Sequence, residues 1–132
     1  MLIRDIKDAV YFRSGDNCIL CELLHPKNSE KYGCEDIPMD CSICHAIVPK
    51  GESSLPHRLK SSSEVYYILS GSGRMYIGDE FEDVGCGQAV YISPGSVQYI
   101  ENKGESDLVF LAIVSPKWDE SDEEVLPESE KV

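Results

Sequence analysis

The sequence has few basic residues and no long apolar run. Its 12 Lys and Arg residues stand against 24 Asp and Glu residues, which gives a formal net charge of −12. Nucleic-acid binding needs a basic surface, and anionic membranes repel a strongly acidic chain. No apolar run reaches the ~20 residues of a membrane-spanning helix, and charges interrupt residues 1–10, which excludes a signal peptide. We therefore expect a cytoplasmic protein with no nucleic-acid or membrane partner.

The length and the charge distribution predict one domain with an acidic end. The 132 residues suit a single domain, and a hydrophobic content of 42% is enough for a core. We divide the chain into N-terminal strands and a connecting loop (1–40), a core barrel (41–116) and an acidic tail (117–132). Seven acidic residues and no basic residue lie between positions 119 and 130, a pattern typical of a solvated segment.

Short apolar runs separated by Gly and Pro predict an all-β fold. The runs are rich in Val, Ile, Tyr and Phe, and they cover 18–24, 41–48, 65–69, 74–77, 89–92, 97–100 and 108–114. Short strands with turn signals every ~8–12 residues are typical of a sandwich or a barrel. Leu108–Val114 is apolar at every position, which predicts a strand buried on both faces. One face would meet the core, and the other a second subunit or the N-terminal segment.

Two segments, 51–71 and 87–102, contain residues at spacings that resemble the two motifs of the cupin family. The matching residues are Gly51, His57, Glu64 and Gly71 in the first segment and Gly87, Gly95 and Asn102 in the second. The 15 residues between them, 72–86, match the interval of small single-domain cupins. The resemblance covers about residues 41–116. It implies a double-stranded β-helix (a jelly-roll barrel) with a metal ion or small molecule in its mouth, and a homodimer.

The resemblance also implies a set of metal ligands, part of which is replaced here. His57 and Glu64 keep the residue types of the family, whereas Leu59 stands at the position of a second His and Gln98 at that of a third. Gln98 still offers a carbonyl oxygen as a ligand, and Leu59 offers no donor atom. The alternative is a pocket without metal in which Glu64 and His57 simply pair.

His45 is a candidate for the missing ligand. If the strand 41–48 pairs with the His57 strand across Gly51, His45 lies opposite His57 and on the same face. A register changed by one residue would point His45 away, as a half-buried strand histidine satisfied by hydrogen bonds. The complete set of His45, His57, Glu64 and Gln98 would suit Zn, Fe, Mn or Ni.

The cysteine pairs give a competing signal. Cys18 and Cys21, like Cys41 and Cys44, have the spacing of a two-knuckle zinc site, and Cys41, Cys44 and His45 match a haem-attachment pattern. Both pairs lie in strand-like runs, however, where residues i and i+3 point to opposite faces. We therefore expect reduced thiols rather than a zinc ribbon, a haem site or a disulfide scaffold.

Two functions remain open, because this fold supports many activities. The first is a metal-dependent enzyme resembling sugar-phosphate isomerase or dioxygenase cupins, with the metal as a Lewis acid. For an anionic substrate, Arg58, Lys60 and Arg74 are the cations near the expected mouth. The second is a non-catalytic protein that binds or senses a small molecule, which the replacement of two histidines favours.

Overall fold

The structure of the protein, a computed structural model, describes residues 1–27 and 37–132. Its strands form two antiparallel sheets. One sheet contains β1 Phe12–Arg13, β2 Ile19–Leu24, β3 Ser42–Val48, β5 Ser63–Ser70, β8 Ala89–Ile92 and β10 Leu108–Ser115, in the order β1-β2-β3-β10-β5-β8. The other contains β4 His57–Leu59, β6 Ser72–Ile77, β7 Glu80–Gly85, β9 Gln98–Glu101 and β11 Glu123–Val125, in the order β11-β4-β9-β6-β7.

The helices of the described residues are three short 3-10 turns, at Ile6–Asp8, Glu120–Asp122 and Glu128–Glu130. No helix in this part of the chain is long and apolar enough to cross a membrane. The all-β prediction is confirmed. Cys34 and part of the predicted connecting loop lie outside the described residues.

The central strand β10 explains how the apolar core forms. It pairs with β3 on one side and β5 on the other, so its backbone groups are satisfied within the sheet. Leu108, Phe110, Ala112 and Val114 are buried on its inner face, whereas the alternate residues on the outer face are only half-buried. The prediction of burial on both faces is therefore correct for the inner face and only partly so for the outer one.

The core joins the two sheets. Ile68 and Phe110 from the six-stranded sheet belong to one buried cluster with Met75 and Ile100 from the five-stranded sheet. The rings of Tyr66 and Phe110 pack at a centroid distance of 4.4 Å. Full burial of each large apolar side chain contributes about 1.5–3 kcal/mol, so this cluster holds the sheets together.

Gly71 shows why the motif glycines are needed. It links β5 in one sheet to β6 in the other with a φ of 82°, which side chains rarely adopt. A Cβ at this position would lie 2.4 Å from the backbone oxygen of Asp107. The crossover between the sheets therefore excludes any side chain here.

The pairing of β3 differs from the one that the ligand role of His45 required. That role depended on a hairpin between β3 and the His57 strand across Gly51, but β3 lies between β2 and β10. The His57 strand, β4, belongs to the other sheet and pairs with β9 and β11. The turn at Gly51 thus carries the chain between sheets, which places β3 and β4 on different walls of the barrel.

The acidic C-terminal segment is only partly solvated. Glu123–Val125 forms β11, which pairs antiparallel with β4, and Glu123 is half-buried. The interpretation of residues 119–130 as a solvated segment is therefore wrong for its middle part. The apolar Val125 and Leu126, which interrupt the acidic run, are the sequence signal for this strand.

Candidate functional site

A cavity of about 180 Å³ opens between the inner face of the six-stranded sheet and the two chain ends. The sheet contributes Leu20, Glu22, Ser42, Cys44, Ala46, Glu64, Tyr66, Phe110, Ala112 and Val114. The β1–β2 hairpin, β4 and the C-terminal segment contribute Phe12, Arg13, Ser14, Gly15, Asp16, Cys18, His57, Trp118, Glu120 and Glu123. Glu120 is exposed and Glu123 half-buried, whereas Asp16, Glu22, His57 and Glu64 are buried. The C-terminal segment thus forms the mouth.

Asp16 is held by the turn between β1 and β2. Asn17, the next residue, adopts a φ of 72°, a conformation that asparagine tolerates better than most residues. The Leu55 N–H donates to the Asp16 backbone oxygen at 2.7 Å, and the Ser14 hydroxyl donates to Asp16 Oδ1. The second carboxylate oxygen, Oδ2, lies 3.3 Å from Nε2 of His57.

His57 presents Nε2 to the cavity in a fixed orientation. Its Nδ1 lies 2.7 Å from the Leu55 carbonyl oxygen, which can only accept, so Nδ1 carries a proton. Burial lowers the pKa of His57, but the charges of Asp16 and Glu64 and the bond to Leu55 outweigh it and raise the pKa overall. Nε2 therefore either holds a proton against Asp16 or, once that proton is displaced, binds a metal ion.

Glu123 completes a group of three donors. It is the first residue of β11, opposite Leu59 of β4, and its side chain accepts a hydrogen bond from Trp118. Donor atoms of Asp16, His57 and Glu123 all lie within 4.8 Å of one another. Burial and the charge of Asp16 raise the pKa of Glu123. Among the described residues, this is the group whose geometry suits a metal ion.

The structure also brings His57, Glu64 and Gln98 together. Gln98 is the strand partner of His57, and its Nε2 donates to Glu64 Oε1 at 2.7 Å. Burial raises the pKa of Glu64 to about 7, although His57 and the bond from Gln98 oppose this. The carbonyl oxygen of Gln98 is buried and has no partner among the described residues. Glu64 and Gln98 are thus engaged with each other, and their role as metal ligands stays a prediction.

His45 lies on the other side of the sheet. Its neighbours Cys44 and Ala46 line the cavity, so His45 points to the opposite face. There its Nδ1 lies 2.8 Å from the hydroxyl of Tyr11, and burial lowers the pKa of the imidazole. This corrects the expectation that His45 joins the site: β3 pairs with β10 rather than β4, and the resulting parity leaves a strand histidine satisfied by a hydrogen bond.

Glu22 is a buried carboxylate that the sequence analysis did not single out. It lies on β2 opposite Cys44, is 5% exposed and lines the cavity. Its Oε1 has no hydrogen-bond partner among the described residues. Burial, and then the charge of Glu64, raise the pKa of Glu22 to about 7. The sequence signal is the single charge within the apolar run 18–24.

The cations expected near the mouth do not line the cavity. Arg58 pairs with Glu124 at 2.7 Å, and Arg74 pairs with Asp83 at 2.8 Å, both outside the site. Lys60 is exposed and does not contribute to the cavity wall. The described part of the site therefore offers little to attract a free anion.

The described cysteines are free thiols, at positions 18, 21, 41, 44 and 86. Cys18 lines the cavity, whereas Cys21 forms a hydrogen bond with Tyr11 on the other face of the sheet. The expectation that this pair cannot hold one ion is confirmed, because the two side chains point to opposite faces.

Comparisons with known proteins agree with this architecture. The Cupin domain family matches residues 44–114. An uncharacterized protein of Methanocaldococcus jannaschii is 39% identical over 111 residues, which cover 84% of this chain and 83% of that protein. An oxalate-binding protein of Thermotoga maritima is 33% identical over 67 residues, 51% of this chain and 55% of that protein.

A solved structure supports the fold directly. The crystal structure of a predicted oxalate decarboxylase from Thermotoga maritima superposes with a TM-score of 0.73 at 20% identity, over 87% of this chain and 99% of that chain. At this identity the likeness concerns the fold alone. With the family match over more than half of the sequence, these findings show that the chain belongs to the cupin family.

Proposed function

We propose that this cupin binds a divalent metal ion through Asp16, His57 and Glu123 and holds a small molecule in the rest of its cavity. The arrangement of these three donors, two of which lie outside the family motifs, carries the proposal. The set implied by the family motifs fits a metal less well here, because Leu59 has no donor atom and Oε1 of Glu64 already accepts a hydrogen bond from Gln98.

The donor types and spacing fit a first-row divalent ion. One imidazole nitrogen and two carboxylates suit Mn²⁺, Fe²⁺ or Zn²⁺. Two ligands at about 2.1 Å from one ion lie roughly 3–3.4 Å apart, and His57 Nε2 and Asp16 Oδ2 are 3.3 Å apart. Each of the three donor side chains is oriented by a hydrogen bond: His57 by the Leu55 carbonyl, and the two carboxylates by Ser14 and Trp118. Metal ligands are commonly held in place by such hydrogen bonds.

A bound metal would supply a Lewis acid that orients an oxygen-bearing ligand. The chain itself provides the rest of the site. Tyr66, Phe110 and Val114 form an apolar wall that excludes water, and Glu22 and Glu64 offer buried carboxyl groups. A small molecule in this cavity would thus be held both by polar groups and by apolar contact.

Titration of the metal-free protein with Mn²⁺ tests the proposal. We expect the wild type to bind one ion per chain. The Mn²⁺ affinity should fall roughly tenfold or more in Asp16→Asn and in Glu123→Gln, since each variant removes a ligand. Glu124→Gln is the matched control, because Glu124 is the neighbour of Glu123 on β11 and its carboxylate pairs with Arg58 outside the cavity. It removes the same charge from a strongly acidic chain and should leave binding unchanged.

Two results would contradict the proposed site. Equal losses in Asp16→Asn and Glu124→Gln would mean that Mn²⁺ responds only to the overall negative charge. Mn²⁺ binding that survives in Asp16→Asn but is lost in Glu64→Gln would assign the ion to His57, Glu64 and Gln98 instead. His57→Ala cannot separate these two sites, because both contain His57.

A metal-dependent enzyme is the second candidate function. The pKa of both Glu22 and Glu64 is raised to about 7, which suits groups that exchange protons near neutral pH. The Thermotoga relatives make oxalate the first compound to test with Mn²⁺-loaded protein. Conversion of oxalate to formate and carbon dioxide would favour the enzyme, and binding without conversion would favour the binding protein.

A further inference from the structure

The unpartnered oxygen of Glu22 points to a ligand that donates a hydrogen bond. Glu22 is 5% exposed, lines the cavity and has one carboxylate oxygen without a partner among the described residues. An unsatisfied buried polar atom costs about 1–3 kcal/mol, and more when it is charged. A ligand donor in the cavity would remove this cost.

The charge of the cavity indicates that the donor is a cation. Five carboxylates line the cavity, from Asp16, Glu22, Glu64, Glu120 and Glu123. The guanidinium of Arg13, which also contributes to the wall, bonds to Asn17 and to Glu52 in an exposed position. A metal ion at the proposed site would balance Asp16 and Glu123 but not Glu22 or Glu64. A hydroxyl group would satisfy the Glu22 oxygen but would not compensate the charge of the ionised carboxylate. An ammonium group would satisfy the oxygen, compensate the charge and so favour the ionised form.

The size and the walls of the cavity limit the rest of the ligand. The volume of about 180 Å³ holds roughly six water-sized groups. Leu20, Ala46, Phe110 and Ala112 supply an apolar surface on the inner face of the sheet. This combination suits a short alkyl chain with one charged end.

We propose that the cavity binds a small primary amine, whose ammonium group donates to Glu22 and whose alkyl body lies on this apolar wall. The inference deepens the proposed small-molecule binding and rests on it. It also implies that the cavity binds amines more tightly than carboxylates.

Calorimetric titration with three probes of similar size tests the inference. With Mn²⁺-loaded protein, butylamine should bind roughly tenfold or more tightly than 1-butanol, and butyrate should show the weakest binding, since only the amine carries a positive charge. In Glu22→Gln we expect butylamine affinity to fall roughly tenfold or more, with Mn²⁺ affinity unchanged. Glu82→Gln, which removes an exposed carboxylate on β7, is the control and should change neither.

The Mn²⁺ measurement separates this inference from the proposed metal site. If Mn²⁺ binds normally and butylamine binds no better than 1-butanol, the amine assignment is wrong and the metal site stands. Tighter binding of butyrate than of butylamine would likewise overturn the assignment. If Glu22→Gln weakens Mn²⁺ binding as well, Glu22 is a metal ligand rather than an amine receptor. Failure of wild-type protein to bind Mn²⁺ would refute the metal site itself.

Discussion

Replacing Glu22 by Gln should make the metal-free protein more stable than the wild type at alkaline pH. At acid pH the substitution should change the stability little. Burial and the charge of Glu64 raise the pKa of Glu22 from 4.5 to about 7 in the folded protein. A carboxyl group with a raised pKa binds its proton more tightly when folded, so the wild type loses stability as pH rises from about 4.5 to 7. Gln has a similar shape and no ionisation, which removes this loss.

The size of the effect follows from the same pKa values. Each pKa unit between the folded and unfolded states corresponds to about 1.4 kcal/mol. The interval between 4.5 and about 7 therefore amounts to about 3 kcal/mol at full ionisation. We expect Glu22→Gln and wild type to differ little near about pH 4 and Glu22→Gln to be more stable by up to about 3 kcal/mol near about pH 8.

Urea denaturation with a metal chelator at several pH values measures this difference. Trp118, the single tryptophan, lies at the cavity mouth and provides the fluorescence signal. Glu82→Gln, an exposed change of the same type, controls for net charge. A constant difference between Glu22→Gln and wild type across the pH range would refute the reasoning. It would mean that Glu22 ionises in the folded protein as easily as in the unfolded chain.

Two further predictions concern the fold and the assembly. Gly71→Ala should reduce the free energy of unfolding by roughly 3 kcal/mol, because its Cβ would meet the backbone of Asp107, whereas Gly78→Ala, with a φ of 59° and no neighbour within 4 Å, should cost about 1 kcal/mol. Equal losses in urea denaturation would show that the clash at Gly71 is relieved. The homodimer remains a prediction, and light scattering should give twice the chain mass of 14.7 kDa; a mass of one chain would contradict it.

Leu59, at a replaced motif position, and the candidate donor Glu123 are strand partners on β4 and β11. Leu59 and Gln98 stand where the resemblance implies histidine ligands, and Glu123 lies near His57 because β11 pairs with the strand that carries His57 and Leu59. Asp16 and Glu123 both lie outside residues 44–114, the part that matches the family. A comparison limited to the motifs would therefore give this cavity fewer polar groups than it contains.

The sequence predicted the features that depend on neighbouring residues. The apolar runs between Gly and Pro corresponded to strands, because side-chain alternation and turn chemistry act over a few residues. The motif spacings predicted the cupin barrel, and the family match agrees. They also predicted that His57, Glu64 and Gln98 lie close together, as the structure shows. Glu22 stands in the sequence as a lone charge in an apolar run, but its burial and its place in the cavity were not predicted.

Only the tertiary structure decided which side chains share the cavity. His45 lies outside because the register of β3 on β10 turns Cys44 and Ala46 to the cavity, and a shift of register by one residue would reverse every side chain of the strand. Asp16 and Glu123 meet His57 because a hairpin turn and a C-terminal strand close on β4 from opposite ends of the chain. Strand pairing depends on the apolar surface buried over the whole sheet, and a local sequence pattern does not predict that total.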